Sequence, residues 1–346
     1  MIHFPKPLKP GDLIAVTAPS SGVPGPLQAR LDLVLEHLRA QGYLIIEGQC
    51  LRNEYKDASA PKEDRAREFT EFLQHPDVAA IIPPWGGELA TELLDLIPFA
   101  PLKDMPPKWV MGFSDISTLL LPLSLVSGWA TAHGPNLMDL APTQTDPLTT
   151  SSLAVLAADF QTPVVQHSSR MYQTQFTDFA DQADAPLNLT ETTCWRRLDD
   201  DTTAVTFQGR LIGGCLDTIA LLAGTAYGDV PAFIQQSGEQ GTILYLENVE
   251  MSPPGLVRTL LFLKRHGWFE GLSGLMFGRS AGPKPKETNA LSYTEALQSS
   301  LADLNCPVLL DVDIGHQPPQ FTLINGTVAE VKFWDSQGVI AQWKHG

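Results

Sequence analysis

The sequence predicts an α/β fold, with a doubly wound parallel sheet in the first half of the chain and a mixed, β-rich domain in the second half. Short apolar strands alternate with helical segments across the first half, which is the pattern of βαβ units. After residue 200 the strand-like segments come at irregular spacing. The chain has 346 residues, of which 43% are hydrophobic, so it is long enough to build two domains with separate cores.

The predicted elements of the first half follow one another as strand, helix and strand. Strands are predicted at residues 13–18, 43–47 and 78–82 and around Trp109, and helices at 26–41, 62–73, 88–97 and from Ser114 onward. The helix at 26–41 carries Leu31, Val34, Leu35 and Leu38 on one face, a spacing typical of an amphipathic helix that packs on a sheet.

Three short motifs follow strands of this predicted sheet. They are Pro-Ser-Ser at residues 19–21, Trp-Gly-Gly at 85–87, and Ser114 with Asp115. In a doubly wound sheet, the functional crevice lies at the carboxyl ends of the strands. The three motifs are therefore expected at one crevice.

The second half of the chain has a different pattern. Residues 1–165 are predicted to form the α/β domain, 166–198 a loop-rich connection, and 199–346 the β-rich domain. Helices are predicted there at 216–223 and 253–266, and strands begin near residues 204, 242, 272, 307, 328 and 338. Ser252 and Pro253 are well placed as the N-cap and the first residue of the second helix.

Composition limits the classes of function. The formal net charge of −16 and the pI near 4.8 disfavour binding to nucleic acid or to an anionic membrane. Neither a signal peptide nor an apolar run of about 18 residues is recognisable, so no membrane span is expected. The four cysteines lack C-x-x-C spacing, which predicts free thiols and a cytoplasmic protein.

Ser114 is the most informative residue of the chain. The segment that contains it predicts a buried strand followed at once by a helix, and Gly112 lets the backbone turn sharply between them. Such an elbow presents a serine hydroxyl at the edge of a sheet and beside a helix N-terminus, as nucleophilic serines are presented. Ile116 replaces the second glycine of G-x-S-x-G, so a helix N-cap serine is the alternative.

A serine nucleophile needs a base and a carboxylate that orients the base. His316 follows an apolar strand, on a loop constrained by glycine and prolines, and an ordinary loop histidine is the alternative. His133 follows another predicted strand and could line the crevice. Glu247 ends an apolar strand, where a partly buried carboxylate needs a partner, and we favour it over Glu250 as the orienting acid.

Seven segments together resemble the LD-carboxypeptidase family of serine peptidases (peptidase family S66), which also contains the microcin C immunity hydrolases. Each segment is weak on its own, but they follow one another through nearly the whole chain. They are LKPGDLIAVTAPS at 8–20, WGGELATELL at 85–94, GFSDIS at 112–117, TAHGP at 131–135, LIGGCLDT at 211–218, LYLEN at 244–248 and GHQPPQFTL at 315–323.

The resemblance implies the fold and the division of the active site. It implies a flavodoxin-like N-terminal domain and a smaller, swivelling, β-rich C-terminal domain, with the active site between them. The matching positions imply a triad of Ser114, His316 and Glu247, which are the residues favoured above. The serine would come from the first domain and the other two residues from the second.

The same resemblance implies how the reaction is supported. Backbone amides of Gly86 and Gly87 and of Asp115 would form the oxyanion hole. No cofactor and no metal would be required, and the chain would form a homodimer.

The substrate is expected to be a small peptide or a peptide–nucleotide conjugate. Family members that remove D-alanine from murein tetrapeptides usually carry arginine before Gly-Gly-Tyr-Gly, whereas this chain carries Trp85 before Gly-Gly-Glu, which is closer to the microcin-immunity branch. That branch cleaves acyl-nucleotide conjugates and stacks the base on aromatic rings. Trp85 and Trp195 are candidates for such stacking, with core packing as the alternative for each, and His133 is a candidate substrate contact.

Two other classes of function remain open on the sequence alone. An α/β-hydrolase esterase shares the chain order of serine, acid and histidine, although the second glycine of its elbow is missing in this chain. A non-catalytic binding protein would use the crevice between the domains without turning its ligand over.

Overall fold

The computed structural model describes residues 2–287 and 289–344. Met1, Thr288, His345 and Gly346, which the predicted domain ranges 1–165 and 199–346 include, lie outside the described residues. The chain forms two compact units. Unit 1 consists of Met1–Asp159, Gln175–Asn188 and Phe321–Ile324, and unit 2 of Phe160–Thr174, Leu189–Gln320 and Asn325–Gly346.

Strands and helices alternate along most of the chain. In chain order, the strands are β1 Leu13–Val16, β2 Leu44–Glu47, β3 Val78–Ile81, β4 Trp109–Gly112, β5 Ala132–His133, β6 Val164–His167, β7 Met171–Tyr172, β8 Glu191–Thr192, β9 Arg196–Arg197, β10 Val205–Cys215, β11 Thr242–Glu247, β12 Gly274–Gly278, β13 Val308–Val312, β14 Leu323–Ile324, β15 Val328–Trp334 and β16 Gln337–Trp343. The α-helices are α1 Gln28–Ala40, α2 Lys62–Gln74, α3 Phe99–Leu102, α4 Ser117–Leu125, α5 Pro147–Thr150, α6 Ser152–Leu156, α7 Leu216–Ile219, α8 Val230–Ser237, α9 Pro253–Arg265 and α10 Tyr293–Leu301.

Unit 1 is built on a six-stranded sheet with the order β14-β5-β4-β3-β1-β2. The strands β1 to β5 pair in parallel, and only β14 is antiparallel to its neighbour β5. The parallel strands thus have the order 2-1-3-4-5, which is that of flavodoxin-like folds. The predicted α/β class with a parallel N-terminal sheet is confirmed.

Three of the four helices predicted in unit 1 form, as α1, α2 and α4. In α1 the predicted apolar face of Leu31, Val34, Leu35 and Leu38 is buried. The helix predicted at 88–97 is wrong: the structure has a 3₁₀ turn at Ala90–Leu93. The carbonyl of Leu89 accepts a hydrogen bond from Arg65, and the amide of Ala90 donates one to Asp115. These long-range partners hold the start of the segment, and the sequence pattern does not reveal them.

Unit 2 is built on an eight-stranded mixed sheet with the order β6-β16-β15-β10-β11-β12-β13-β9. The central strands β10 to β13 are parallel, and the flanking strands pair antiparallel. The helices predicted at 216–223 and 253–266 correspond to α7 with its following 3₁₀ turn and to α9. Within the described residues, no helix is both long and apolar enough to cross a membrane.

The segment that connects the two large sheets along the chain belongs partly to unit 1 and partly to unit 2. Strands β6 and β9 form the two edges of the eight-stranded sheet, whereas Gln175–Asn188 belongs to unit 1. Arg30 of α1 holds that segment, because its fully buried guanidinium donates hydrogen bonds to the carbonyls of Ala183 and Ala185 at 3.0 and 2.9 Å. A buried arginine of this kind leaves no periodic signal in the sequence.

Substitution of Gly213 in β10 tests how closely β10 and β11 pack in unit 2. A Cβ atom at this position would overlap the backbone carbonyl oxygen of Tyr245 on the paired strand and come within 2.8 Å of its ring. Gly213→Ala should therefore lower the free energy of unfolding by about 1–3 kcal/mol, as overpacking does. The control Gly255→Ala, in α9, has no neighbour nearer than 3.5 Å and should be neutral or slightly stabilising. Equal urea midpoints for the two variants would contradict this packing of β10 against β11.

Candidate active site

The strand-to-helix elbow predicted at Ser114 is present, but its left-handed residue is Ser114 itself rather than Gly112. Strand β4 ends at Gly112, a 3₁₀ turn spans Ser114–Ile116, and helix α4 continues from it. Ser114 has a φ of +62°, a left-handed conformation that is uncommon for any residue but glycine. Such backbone strain is held only where the surroundings enforce it, and it is concentrated at functional sites.

The Trp85–Gly87 turn lies directly against the elbow. A Cβ atom on Gly86 would lie 2.7 Å from Ser114 Cβ, 2.8 Å from Ser114 Oγ and 2.9 Å from the amide nitrogen of Asp115. Only glycine therefore lets this turn approach the serine so closely. Gly87, with a φ of +143°, would in turn meet Ser20 and Ser21 of the loop after β1. The three motifs that the sequence assigns to one crevice are thus in contact within unit 1.

The carboxylate of Asp115 joins these loops. It accepts hydrogen bonds from Ser20 Oγ at 2.6 Å, from the Ala90 amide at 2.8 Å and from Thr118 Oγ1 at 3.2 Å, and it is 2% exposed. Burial raises the pKa of Asp115, while the hydrogen bonds from Ser20 and Ala90 act in the opposite direction. One buried side chain therefore fixes the serine elbow to both neighbouring loops.

Arg65 of α2 is a second link, and the sequence analysis missed it. Its guanidinium is 1% exposed and donates hydrogen bonds to the carbonyls of Pro19 and Leu89 at 2.8 and 3.0 Å. It also pairs with Glu92. The residue lies in a charged helix whose sequence predicts solvent exposure, so no local signal distinguishes it from its neighbours.

Trp85 and His133, the aromatic candidates of unit 1, have different surroundings. Trp85 is partly exposed, and its indole nitrogen donates to the carbonyls of Ser21 and Gly22, both at 3.1 Å. His133 is fully buried in β5 beside Gly112 of β4, with its ring edge-on to Phe113. Trp85 thus keeps an accessible surface next to the elbow, and His133 supports the strand that leads into it.

Unit 2 contains a buried carboxylate–imidazole pair. Glu247, the last residue of β11, is fully buried, and its Oε2 lies 2.8 Å from Nδ1 of His316, whose side chain is 19% exposed. Gly315 lies against the carboxylate and Gly278 against Cβ of Glu247, and a Cβ on either glycine would collide with the Glu247 side chain. The two residues that the sequence favours are therefore brought together, with the imidazole at the more accessible end.

Glu250, the competing carboxylate, has another position. Its side chain is exposed on the loop that follows β11. Its backbone amide, with those of Val249 and Met251, donates to the carboxylate of Asp217 at 3.0–3.1 Å. Asp217 therefore shapes the loop that follows Glu247, and Glu250 is part of that loop surface.

The loop of His316 rests on a buried ion pair. Arg279 is 3% exposed, pairs with Asp313 at 2.9 Å, and donates hydrogen bonds to the carbonyls of Gln317 and Pro319 at 3.0 and 2.6 Å. The fully buried Asp313 also accepts from the indole nitrogen of Trp195 at 2.8 Å. The guanidinium thus holds the backbone on the carboxyl side of His316.

Trp195 has the core position that the sequence left as its alternative. Its side chain is fully buried in unit 2, and a Cβ on Gly338 would collide with the ring. It offers no exposed face for stacking, and its contact with Asp313 supports the His316 loop instead.

Two regions of the chain match known protein domains. Residues 14–134 match the LD-carboxypeptidase N-terminal domain, and residues 208–331 match the LD-carboxypeptidase C-terminal domain. A putative carboxypeptidase of Vibrio cholerae is 27% identical over 335 residues, which cover 95% of each chain. The probable murein peptide carboxypeptidase of Bacillus subtilis is 25% identical, with 98% of this chain and 94% of that protein covered.

The relatives also include an immunity protein. The microcin C7 self-immunity protein MccF of Escherichia coli is 25% identical over 94% of this chain and 92% of its own length. A structure of MccF in complex with glutamyl sulfamoyl guanosine covers 99% of this chain and 98% of its own, with a TM-score of 0.83 and 22% identity. The structural likeness concerns the fold, and both carboxypeptidases and immunity proteins recur among the relatives.

Replacement of Asp115 tests its role in unit 1. Asp115→Ala should lower the free energy of unfolding by about 1–3 kcal/mol, because it leaves the Ser20 hydroxyl and the Ala90 amide without their acceptor. Since burial raises the pKa of Asp115, its contribution to stability is greatest at acidic pH and falls as pH rises through the raised pKa. The loss on substitution should therefore be larger at pH 4.5 than at pH 7.

The measurement is urea unfolding at both pH values, with the exposed Asp104→Ala as the matched control. A loss no greater than that of the control would contradict the joining role of Asp115.

Proposed function

Because the chain belongs to the LD-carboxypeptidase family, we propose that it is a serine peptidase that hydrolyses an amide bond in a small peptide conjugate. The observation that carries the proposal is the hydrogen bond between the fully buried Glu247 and Nδ1 of His316. A carboxylate on Nδ1 fixes the ring tautomer and leaves Nε2 to act as a base. The strained elbow at Ser114 supplies the candidate nucleophile.

In the proposed reaction, Ser114 Oγ attacks the carbonyl carbon of the amide while Nε2 of His316 takes the hydroxyl proton. Glu247 holds the ring and stabilises the imidazolium. When the tetrahedral intermediate collapses, the C–N bond breaks and the proton passes from Nε2 to the leaving amine. Water then attacks the acyl-enzyme with the same base, which releases the acid and restores the serine.

The oxyanion of the intermediate is proposed to be bound by backbone amides of the Gly86-Gly87 turn and of Asp115. The close approach of Gly86 to Ser114 and to the Asp115 amide supports this assignment. One such donor typically contributes about 3 kcal/mol to transition-state stabilisation. The buried contacts of Asp115 and Arg65 hold this turn and the elbow in place before substrate binds.

Two substrate classes follow from the relatives. One is the LD-bond of a murein tetrapeptide, and the other is an aminoacyl or peptidyl nucleotide of the microcin C type. The residue before the glycine pair favours the second class, since Trp85 is partly exposed beside the elbow and offers an aromatic surface to a base. We further propose a cytoplasmic homodimer that needs no cofactor and binds neither nucleic acid nor membrane.

The nucleophile and the substrate class are tested in one assay. The protein is incubated with murein tetrapeptide and, separately, with an aminoacyl-sulfamoyl adenosine, and the products are followed by mass spectrometry. Ser114→Ala should lower the rate by about 10⁴-fold or more with the fold intact by circular dichroism, as removal of a triad serine does. The exposed Ser252→Ala should keep the wild-type rate.

Three results would contradict the proposal. They are a rate above a tenth of wild type in Ser114→Ala, hydrolysis of short p-nitrophenyl esters but of no amide, and tight binding without turnover. The last two are the results expected of an esterase and of a binding protein, respectively.

The choice of acid gives a matched pair of variants. Glu247→Gln should lower kcat by about 10²-fold or more, because the buried partner of His316 loses its charge and its acceptor geometry. Glu250→Gln alters an exposed side chain three residues away and should leave kcat within about twofold of wild type. Steady-state kinetics on the better substrate compares them. Equal losses, or the reverse order, would show that Glu247 is not the orienting acid.

A further inference from the structure

Three side chains with different metal-ligand chemistry converge in unit 2. The thiol of Cys215, the carboxylate of Glu247 and the imidazole of His316 each offer an atom within 4.8 Å of the other two. Cysteine, histidine and a carboxylate are the ligand types that Zn²⁺ and similar borderline cations prefer. The three residues lie far apart in sequence, so their spacing gives no metal-site signature.

The sheet holds two of the three ligands in fixed register. Cys215 ends β10 and Glu247 ends β11, and the two are directly paired in the parallel ladder. His316 reaches the pair from the loop after β13, with Nδ1 at 2.8 Å from Glu247 Oε2. Ligands on a tetrahedral zinc ion lie about 3.5 Å apart, given Zn–S and Zn–N distances of about 2.3 and 2.1 Å. Shifts of about 1 Å are therefore enough to place all three on one ion.

The charges around the thiol favour a cation. Cys215 lies between two carboxylates: its Sγ is within 4.8 Å of a carboxylate oxygen of Glu247 and 3.8 Å from Oδ2 of Asp217. Asp217 is itself fixed by three backbone amides of the following loop, so it stays in place as a second layer of negative charge. Cys215 and Glu247 are fully buried, and the 19% exposed His316 is the accessible member through which an ion would enter.

We propose that Cys215, Glu247 and His316 bind one zinc-like divalent cation per chain, and that the bound ion inhibits hydrolysis. On binding, the thiol proton of Cys215 passes to solvent, and the S–H bond is replaced by a bond from sulfur to the metal. His316 binds through Nδ1, so its ring proton moves to Nε2. Glu247 coordinates the ion through a carboxylate oxygen, and no oxidation state changes.

The inhibition rests on the proposed function. With its proton on Nε2 and the metal on Nδ1, His316 has no lone pair with which to accept the Ser114 proton. Glu247, bound to the ion, no longer orients the ring. The site is therefore inhibitory rather than catalytic, which agrees with a mechanism that uses no metal.

The experiment measures binding and turnover separately. The full-length protein is treated with EDTA, desalted and titrated with Co²⁺, whose thiolate complexes absorb through sulfur-to-cobalt charge transfer, and Zn²⁺ affinity is then measured by competition. Wild type should bind one Co²⁺ with a charge-transfer band. Cys215→Ala and Cys215→Ser should lack the band and bind at least about 100-fold more weakly. Circular dichroism checks that both variants fold.

Cys306→Ala is the matched control, because it removes a thiol of unit 2 that is partly buried and lies outside the cluster. It should keep the band, the affinity and the inhibition by Zn²⁺. In the active enzyme, the zinc concentration for half-inhibition should rise at least about 100-fold in Cys215→Ser, and EDTA should restore activity in wild type.

The outcomes separate the two proposals. Absence of saturable Co²⁺ binding, or binding that Cys215→Ala leaves unchanged, would overturn the metal site whatever the activity. A protein that binds Co²⁺ through Cys215 but hydrolyses nothing would retain the site and refute only the proposed function. Zinc inhibition that is equal in wild type and both Cys215 variants would assign the inhibition to another site.

Discussion

The arrangement of the loops around Ser114 in unit 1 depends on one buried carboxylate. Asp115 directly follows Ser114, the residue with the left-handed backbone conformation. The hydrogen bonds that the Asp115 carboxylate accepts therefore also fix the position of Ser114. The hydrogen bonds to Asp115 from the loop after β1 and from the segment after the glycine turn connect three strand ends at a single side chain. Because buried donors without an acceptor cost about 1–3 kcal/mol each, these loops are not free to move independently.

In unit 2 a buried cation has the role that the Asp115 carboxylate has in unit 1. There the cation Arg279 holds backbone carbonyls of the loop that bears His316, and Asp313 neutralises it in the core. Breaking a buried pair of this kind costs about 3–5 kcal/mol, since it leaves an uncompensated charge. In both units a buried ionisable side chain with several hydrogen bonds, rather than apolar packing alone, fixes the loop that carries the candidate site residue.

The sequence predicts those features that depend on neighbours along the chain. Alternating strands and helices identify the sheet of unit 1, and the strand-to-helix pattern around Gly112 identifies the elbow. The apolar strand that ends at Glu247 makes this residue a better candidate for the buried acid than Glu250. What it cannot predict is set by partners far away in sequence. The 3₁₀ turn after the glycine pair depends on Asp115 and Arg65, and the core position of Trp195 depends on Asp313. Each of these is a single buried hydrogen-bonding residue, with no periodicity to reveal it.

The position of β14 has a consequence for synthesis of the chain. This two-residue strand closes the edge of the unit 1 sheet by pairing with β5, yet it is made only after nearly all of unit 2 has been synthesised. Until β14 is synthesised, the backbone groups at this edge of β5 have no strand to pair with. Exposed strand edges of this kind can pair with strands of other chains, which leads to aggregation. The brevity of β5, only two residues long, limits that hazard. A nascent chain cut short before Leu323 would leave this edge open permanently, so truncated products of this protein are predisposed to aggregate.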